Sequence, residues 1–156
     1  MGMLPLVYDM PVRFTFTEDR EKGVFKNSRG QYKGAILPEE EQRRLQNLDS
    51  SEVVLKMRPK ALLIKVDTAT PKMDDNYGEG VFALAPKCRV WNRDVAGNAK
   101  VRRVGFPIVP DFGGTAHSYC GSSLHACIGD LLEWWVKPQR DAAVRGYIVE
   151  SRVRSA

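Results

Sequence analysis

His117, Cys120, His125 and Cys127 stand in the spacing His-x2-Cys-x4-His-x-Cys, and neutral imidazole and thiolate are the side chains that take zinc. Structural zinc sites pair their ligands in two knuckles separated by a longer stretch, and this spacing does not. Cys127 also belongs to the apolar run 126–132, which reads as a buried strand, so the set is read as buried thiols and packed histidine, with no metal. A Cys120 nucleophile with His117 as its base would need an orienting third group that the sequence does not name. Three cysteines cannot all pair with one another, which argues for thiols in a reducing compartment. The remaining chemistry lies in cations: Arg43-Arg44, then Lys100 with Arg102 and Arg103, then Arg140, Arg145, Arg152 and Arg154. Tyr119, Trp134 and Trp135 are the aromatic neighbours, although Trp134-Trp135 suits packing of a sheet against a helix better than base stacking. Cations for phosphates and rings for bases are what single-stranded nucleic acid requires. Lys and Arg number 24 against 19 Asp and Glu, a net charge of +5 that favours a polyanion wherever it is clustered. A phosphate-loop hydrolase needs Gly-x4-Gly-Lys-Ser/Thr, and neither glycine cluster, 30–34 or 97–105, has that lysine and hydroxyl. Nucleotide hydrolysis by this chain alone is therefore not expected.

These residues need elements to hold them. A chain of 156 residues, 43% hydrophobic, is about one average domain and can bury a real core. No stretch approaches the roughly 18 apolar residues of a membrane span, and the first ten residues lack the basic and apolar regions of a secretory signal. Val12, Phe14 and Phe16 alternate with Arg13, Thr15 and Thr17, so 10–17 reads as a half-buried strand. A polar turn at 18–23 and a meander of short strands to residue 37 follow. Asn27 and Gly30 suit unusual backbone angles, and Gly34 suits a bulge or the bend of a small barrel. Pro38, Glu39, Glu40 and Glu41 before Arg43 and Arg44 predict a short helix ending near Asn47. Residues 53–55 and 61–66 read as strands, and 68–79, with Asp74 and Asp75, as a solvated loop. Residues 81–91 and 101–109 read as paired strands joined by a hairpin connection. Beyond Pro110 come a polar stretch with Gly113, Gly114 and Gly121, a strand at 126–132 and a helix at 137–153, the start of an α/β layer.

Residues 106–124 hold Phe106-Pro107-Ile108 and, further on, Thr115-Ala116-His117-Ser118-Tyr119-Cys120-Gly121-Ser122-Ser123-Leu124. They resemble the segment around motif V of superfamily 1B DNA helicases of the Pif and RecD type, where a Phe-Pro-Leu strand leads into Thr-x-His-Lys-x-Gln-Gly-x-Thr-Leu. Tyr147-Ile148-Val149-Glu150-Ser151-Arg152-Val153-Arg154 resembles their motif VI, Tyr-Val-Ala-Leu-Ser-Arg-Val-Arg. Upstream, Leu4-Pro5, Met10-Pro11-Val12-Arg13-Phe14-Thr15 and Lys22-Gly23-Val24-Phe25-Lys26-Asn27-Ser28-Arg29-Gly30 resemble the strands that open the family's small barrel insertion. The three segments come in family order.

The resemblance implies the C-terminal part of a helicase of mixed α+β and α/β class. A small SH3-like β-barrel, subdomain 2B, would occupy residues 1–105 and a partial second RecA-like lobe residues 106–156. It assigns Arg152 to the γ-phosphate, Gly121 to the nucleotide, and Thr115, His117, Ser118 and Ser123 to nucleic acid. An always-charged planar fork suits oxygens whose charge grows in a transition state. Ser118 stands where the family has lysine and Cys120 where it has glutamine, and each lost charge-assisted contact costs about 1.5–3 kcal/mol. The intact family enzyme uses ATP and magnesium; none is expected for this chain alone, because the first lobe would have to come from elsewhere. The implied partner is single-stranded or duplex DNA, with no membrane, in an intracellular, nuclear location. The family continues past motif VI, whereas this chain ends at Ala156, which fits a truncated or relic copy of the Helitron-type branch. The alternative is a non-enzymatic nucleic-acid-binding module or a degenerate mobile-element remnant.

Overall fold

The computed structural model describes residues 4–48, 50, 52–71, 73, 75–92, 100–114, 147 and 151. Their elements are β1 (Pro11–Phe14), β2 (Arg29–Ile36), α1 (Glu39–Gln46), β3 (Ala61–Val66), β4 (Val81–Leu84), β5 (Lys87–Asn92), β6 (Lys100–Gly105) and β7 (Ile108–Pro110). Five strands form one antiparallel sheet in the order β4-β3-β2-β1-β7, and β5 pairs with β6 in a separate ribbon. Among the described residues, the antiparallel strands with helix α1 make an α+β fold.

Alternation builds the core. Val12 and Phe14 on β1, and Leu62 and Ile64 on β3, are fully buried on one face of the sheet with Leu84 of β4. Full burial of each such side chain contributes about 1.5–3 kcal/mol. Phe14 meets Phe82 edge to face, with ring centroids 6.2 Å apart. The register shifts between Tyr32 and Gly34, the bulge expected from a glycine inside β2. Asn27 has the expected left-handed backbone, φ 68°. Gly30 is needed for a different reason than the one expected: its φ is not positive, but a Cβ there would lie 2.4 Å from the Lys65 carbonyl oxygen on β3. Helix α1 follows Pro38 with three acidic residues in its first turn, the arrangement a helix dipole favours.

Several expected elements differ. Residues 53–55 form no strand: Val54 is 74% exposed, and the Lys56 N–H donates to Glu41 Oε1 at 3.0 Å instead of to a neighbouring strand. The expected strands 81–91 and 101–109 are each two strands, broken at Pro86 and at Phe106-Pro107. Proline has no N–H for a ladder, so β4 and β7 join the large sheet while β5 and β6 leave it as a ribbon. Strand β1 ends at Phe14, and Phe16, expected on the core face, is 36% exposed.

The chain divides into two compact units, Met1–Phe112 and Gly113–Ala156. Strand β7, read from sequence as the opening of the second segment, lies in the first unit because Val12, Arg13 and Phe14 pair with Pro110, Val109 and Ile108. In the second unit, the Ser151 N–H donates to the Tyr147 carbonyl at 2.9 Å, one helical turn. The strand expected at 126–132 and the rest of the helix expected at 137–153 lie outside the described residues.

Candidate nucleic-acid interface

Thr115, His117, Ser118, Gly121, Ser123 and Arg152 lie outside the described residues, as do Cys120, His125 and Cys127. What the structure places is the approach to them. Asp111 follows β7, and its N–H donates to the Pro11 carbonyl at 2.9 Å. Its carboxylate pairs with Arg13 of β1 and, at 2.9 Å, with Nε of Arg29 on β2. Arg13 is only 5% exposed, on the face of β1 opposite Val12 and Phe14, so the carboxylate neutralises a charge that the sheet has withdrawn from water. This clamp fixes where the chain leaves the sheet, four residues before Thr115.

The cation-rich surface is the ribbon. Strands β5 (Lys-Cys-Arg-Val-Trp-Asn) and β6 (Lys-Val-Arg-Arg-Val-Gly) carry Lys87, Arg89, Lys100, Arg102 and Arg103 and no carboxylate. All five are exposed. Side chains alternate along a strand, so Lys87, Arg89 and Trp91 share one side, joined across the pair by Arg103 opposite Arg89 and Val101 opposite Trp91. Like charges directly opposite one another destabilise a strand pair, and no ion pair to either Arg89 or Arg103 is found among the described residues. Arg89 instead stacks on a ring: its guanidinium carbon lies 3.1 Å from the centroid of Phe16. Lys87 Nζ meets Glu18 Oε2 at 2.7 Å, and Glu18 Oε1 is buried with no hydrogen-bond partner among the described residues. On the other side, Arg102 Nε–H donates to Cys88 Sγ at 2.9 Å. Such a ribbon can neutralise several phosphates in a row and offers Trp91, 46% exposed, to a base.

Sequence reading found Lys100, Arg102 and Arg103 and missed Lys87, Arg89, Phe16 and Trp91. The signal was there in the period-two spacing of Lys87, Arg89 and Trp91, but the strand was read through Pro86 and its sides were not separated. The cations of the other described cluster pair with carboxylates of their own helix. Arg44 is held by the carboxylate of Glu41, at 2.5 Å, and by the Val54 carbonyl, at 2.9 Å, and Arg43 faces Glu39 at 3.8 Å. That hydrogen bond from Arg44 holds the Glu41 carboxyl below the usual carboxylate range against the opposing effect of burial, helped by the Lys56 N–H, the Arg44 charge and the Met57 N–H. Among the described residues no group of three or more His, Cys, Asp or Glu is placed to hold a metal. No described helix is long and apolar enough to cross a membrane.

No protein-family model matches the chain, and no curated protein matches it. Solved structures do. A Pif1 helicase from Candida albicans superposes with a TM-score of 0.56 at 16% identity, over 96% of this chain and 30% of that one. A Pif1 helicase from a structure of DNA unwinding at forked dsDNA by two coordinating Pif1 helicases gives 0.56 at 12% identity, over 97% of this chain and 26% of that one. Bacteroides Pif1 bound to ssDNA gives 0.54 at 13% identity, over 97% and 28%. The chain thus spans less than a third of the length of each of these helicases. What it shares with these superfamily 1B enzymes is a fold, followed across nearly all of its own length.

Proposed function

We propose that this chain is a DNA-contacting, C-terminal portion of a superfamily 1B helicase. Its 2B-like, SH3-like barrel lies within residues 1–105, and part of a second RecA-like lobe lies in residues 106–156. The observation that carries the reading is the fold in common with Pif1 helicases over 96–97% of the chain. The motif-like segments in family order and the cation-rich ribbon support it independently. DNA is the polyanion of choice because one of those helicases is bound to ssDNA and others unwind forked dsDNA. In this reading Thr115, His117, Ser118 and Ser123 touch the strand, Gly121 lines the nucleotide, and Arg152 is the guanidinium offered to the γ-phosphate. ATP and magnesium do not fit these 156 residues by themselves, since no Gly-x4-Gly-Lys-Ser/Thr cradle is present to hold a triphosphate. A first lobe must supply it.

The test is binding of a fluorescent single-stranded DNA oligonucleotide to the purified chain. Binding that weakens as salt rises is expected, and absence of binding at low salt overturns the reading. Magnesium-dependent ATP hydrolysis by the chain alone, abolished by Arg152→Ala, overturns the assignment of hydrolysis to a first lobe. A non-enzymatic DNA-binding module is the second reading, favoured by a ribbon that lies wholly within the unit Met1–Phe112. Failure of a Pif1-type first lobe, added in trans, to give ATP hydrolysis selects it.

A further inference from the structure

Arg89 differs from the other ribbon cations in the company it keeps. Its guanidinium lies on the Phe16 ring at 3.1 Å, yet the residue remains exposed. Phe16 has left the core to take this position, at the cost of exposing part of a large apolar side chain. A planar cation held against a ring is pre-oriented, and its outer face is of the size and flatness that a nucleobase stacks on. Trp91 stands two residues on, on the same side of β5, about 6.8 Å further along the strand. Arg103, directly across from Arg89, adds a second positive charge to that side, and Lys87 at its near end is already occupied by Glu18.

We infer that Phe16, Arg89 and Trp91 form a base-stacking subsite for single-stranded DNA, with Arg103 meeting the adjacent phosphate. This rests on the DNA-contacting reading above and narrows its ligand to a strand with unpaired bases. In a duplex each base face is covered by its neighbours, so a stacking platform has nothing to accept, whereas an unpaired strand exposes a face at every nucleotide. Every base has such a face, so the subsite reads strandedness and not sequence.

The test compares labelled probes of about 12 nucleotides on the full chain: oligo(dT), an abasic strand of the same charge, a duplex and oligo(rU). Oligo(dT) is expected to bind roughly tenfold or more tighter than the abasic strand, and the duplex to compete poorly. Arg89→Lys keeps the charge and removes the plane, so the preference for oligo(dT) over the abasic strand collapses while the salt dependence stays as in the native chain. Trp91→Ala reduces the same preference. Equal binding of oligo(dT) and the abasic strand overturns the subsite, as does an Arg89→Lys chain that keeps the preference, and tighter binding of oligo(rU) overturns its assignment to DNA. The comparison of probes on the native chain stands by itself if a variant fails to fold. If no probe binds, the helicase reading fails; if all bind alike, only the subsite does.

Discussion

Arg29 Nε and Asp111 Oδ2 meet at 2.9 Å across β1, which lies between their strands in the sheet. Arg13 on β1 reaches the other oxygen of the same carboxylate. One carboxylate thus joins three strands whose residues are far apart in sequence, and it does so at the last turn before the motif V-like segment.

Removing that carboxylate takes from the buried guanidinium of Arg13 the charged partner that stands beside it. Asp111→Ala is expected to cost about 3–5 kcal/mol, the usual penalty for breaking a buried pair from one side. Urea unfolding followed by circular dichroism measures it. A loss below about 1 kcal/mol, typical of an exposed pair, would mean that the clamp does not hold the sheet.

Glu41 ties α1 to the segment that follows it. Its carboxyl is depressed in the folded chain, chiefly by the hydrogen bond from Arg44, so the stability it confers is complete above the unfolded carboxylate value and is lost as pH falls through the folded one. Glu41→Gln should therefore destabilise the chain near pH 7, and the gap between native and variant should narrow as the pH falls below the ordinary glutamate value. Urea midpoints at neutral and at acid pH decide this; a gap that is constant or wider in acid contradicts it.

Gly30 of β2 lies directly against the Lys65 carbonyl of β3. With a Cβ placed 2.4 Å from the Lys65 carbonyl and 2.9 Å from Ile64 Cγ2, Gly30→Ala must push the strands apart. The expected cost is about 1–3 kcal/mol, as for other overpacked sites. A melting temperature equal to the native one would show that the sheet opens freely at this point.

How much of this was legible in the sequence depends on whether local or distant chemistry decides each element. The strand at 61–66, the bulge at Gly34 and the acidic first turn of α1 are local, and they read directly. Phe16 did not, because continuing the alternation of Val12 and Phe14 puts it in the core, and only the distant Arg89 gives it another place. Arg44, grouped by sequence with Arg43 among the cations of a nucleic-acid track, is held by Glu41 one turn away and by the Val54 carbonyl beyond the helix. The prolines at 86 and 107 carried the missed information about the ribbon: each ends a ladder, so four short strands replace two long ones. Of the site itself, the motif-like segments from Thr115 to Arg152 are legible in the sequence alone, whereas the described structure contributes Asp111 and the ribbon.

Glu18 occupies the charge of Lys87 within the chain. Its side chain is 5% exposed and its Oε2 lies 2.7 Å from Lys87 Nζ, so the lysine charge is spent within the chain. Glu18→Gln should release it to phosphate, tightening oligo(dT) binding at low salt and steepening the slope of log K against log[salt] by about 0.7, the contribution of one further phosphate contact. Titrations over a range of salt concentrations test this, and an unchanged slope would mean that Lys87 does not face the strand.

In the proposed function the ribbon is where this chain meets DNA. The most direct measurement is the salt dependence of oligo(dT) binding by the native chain and by a variant with Lys100→Gln, Arg102→Gln and Arg103→Gln together. With Lys100, Arg102 and Arg103 on phosphates, the native slope should be about −2, and the variant's should fall toward zero with much weaker binding. A native slope near zero, or a variant that binds with the native slope and affinity, would contradict the claim.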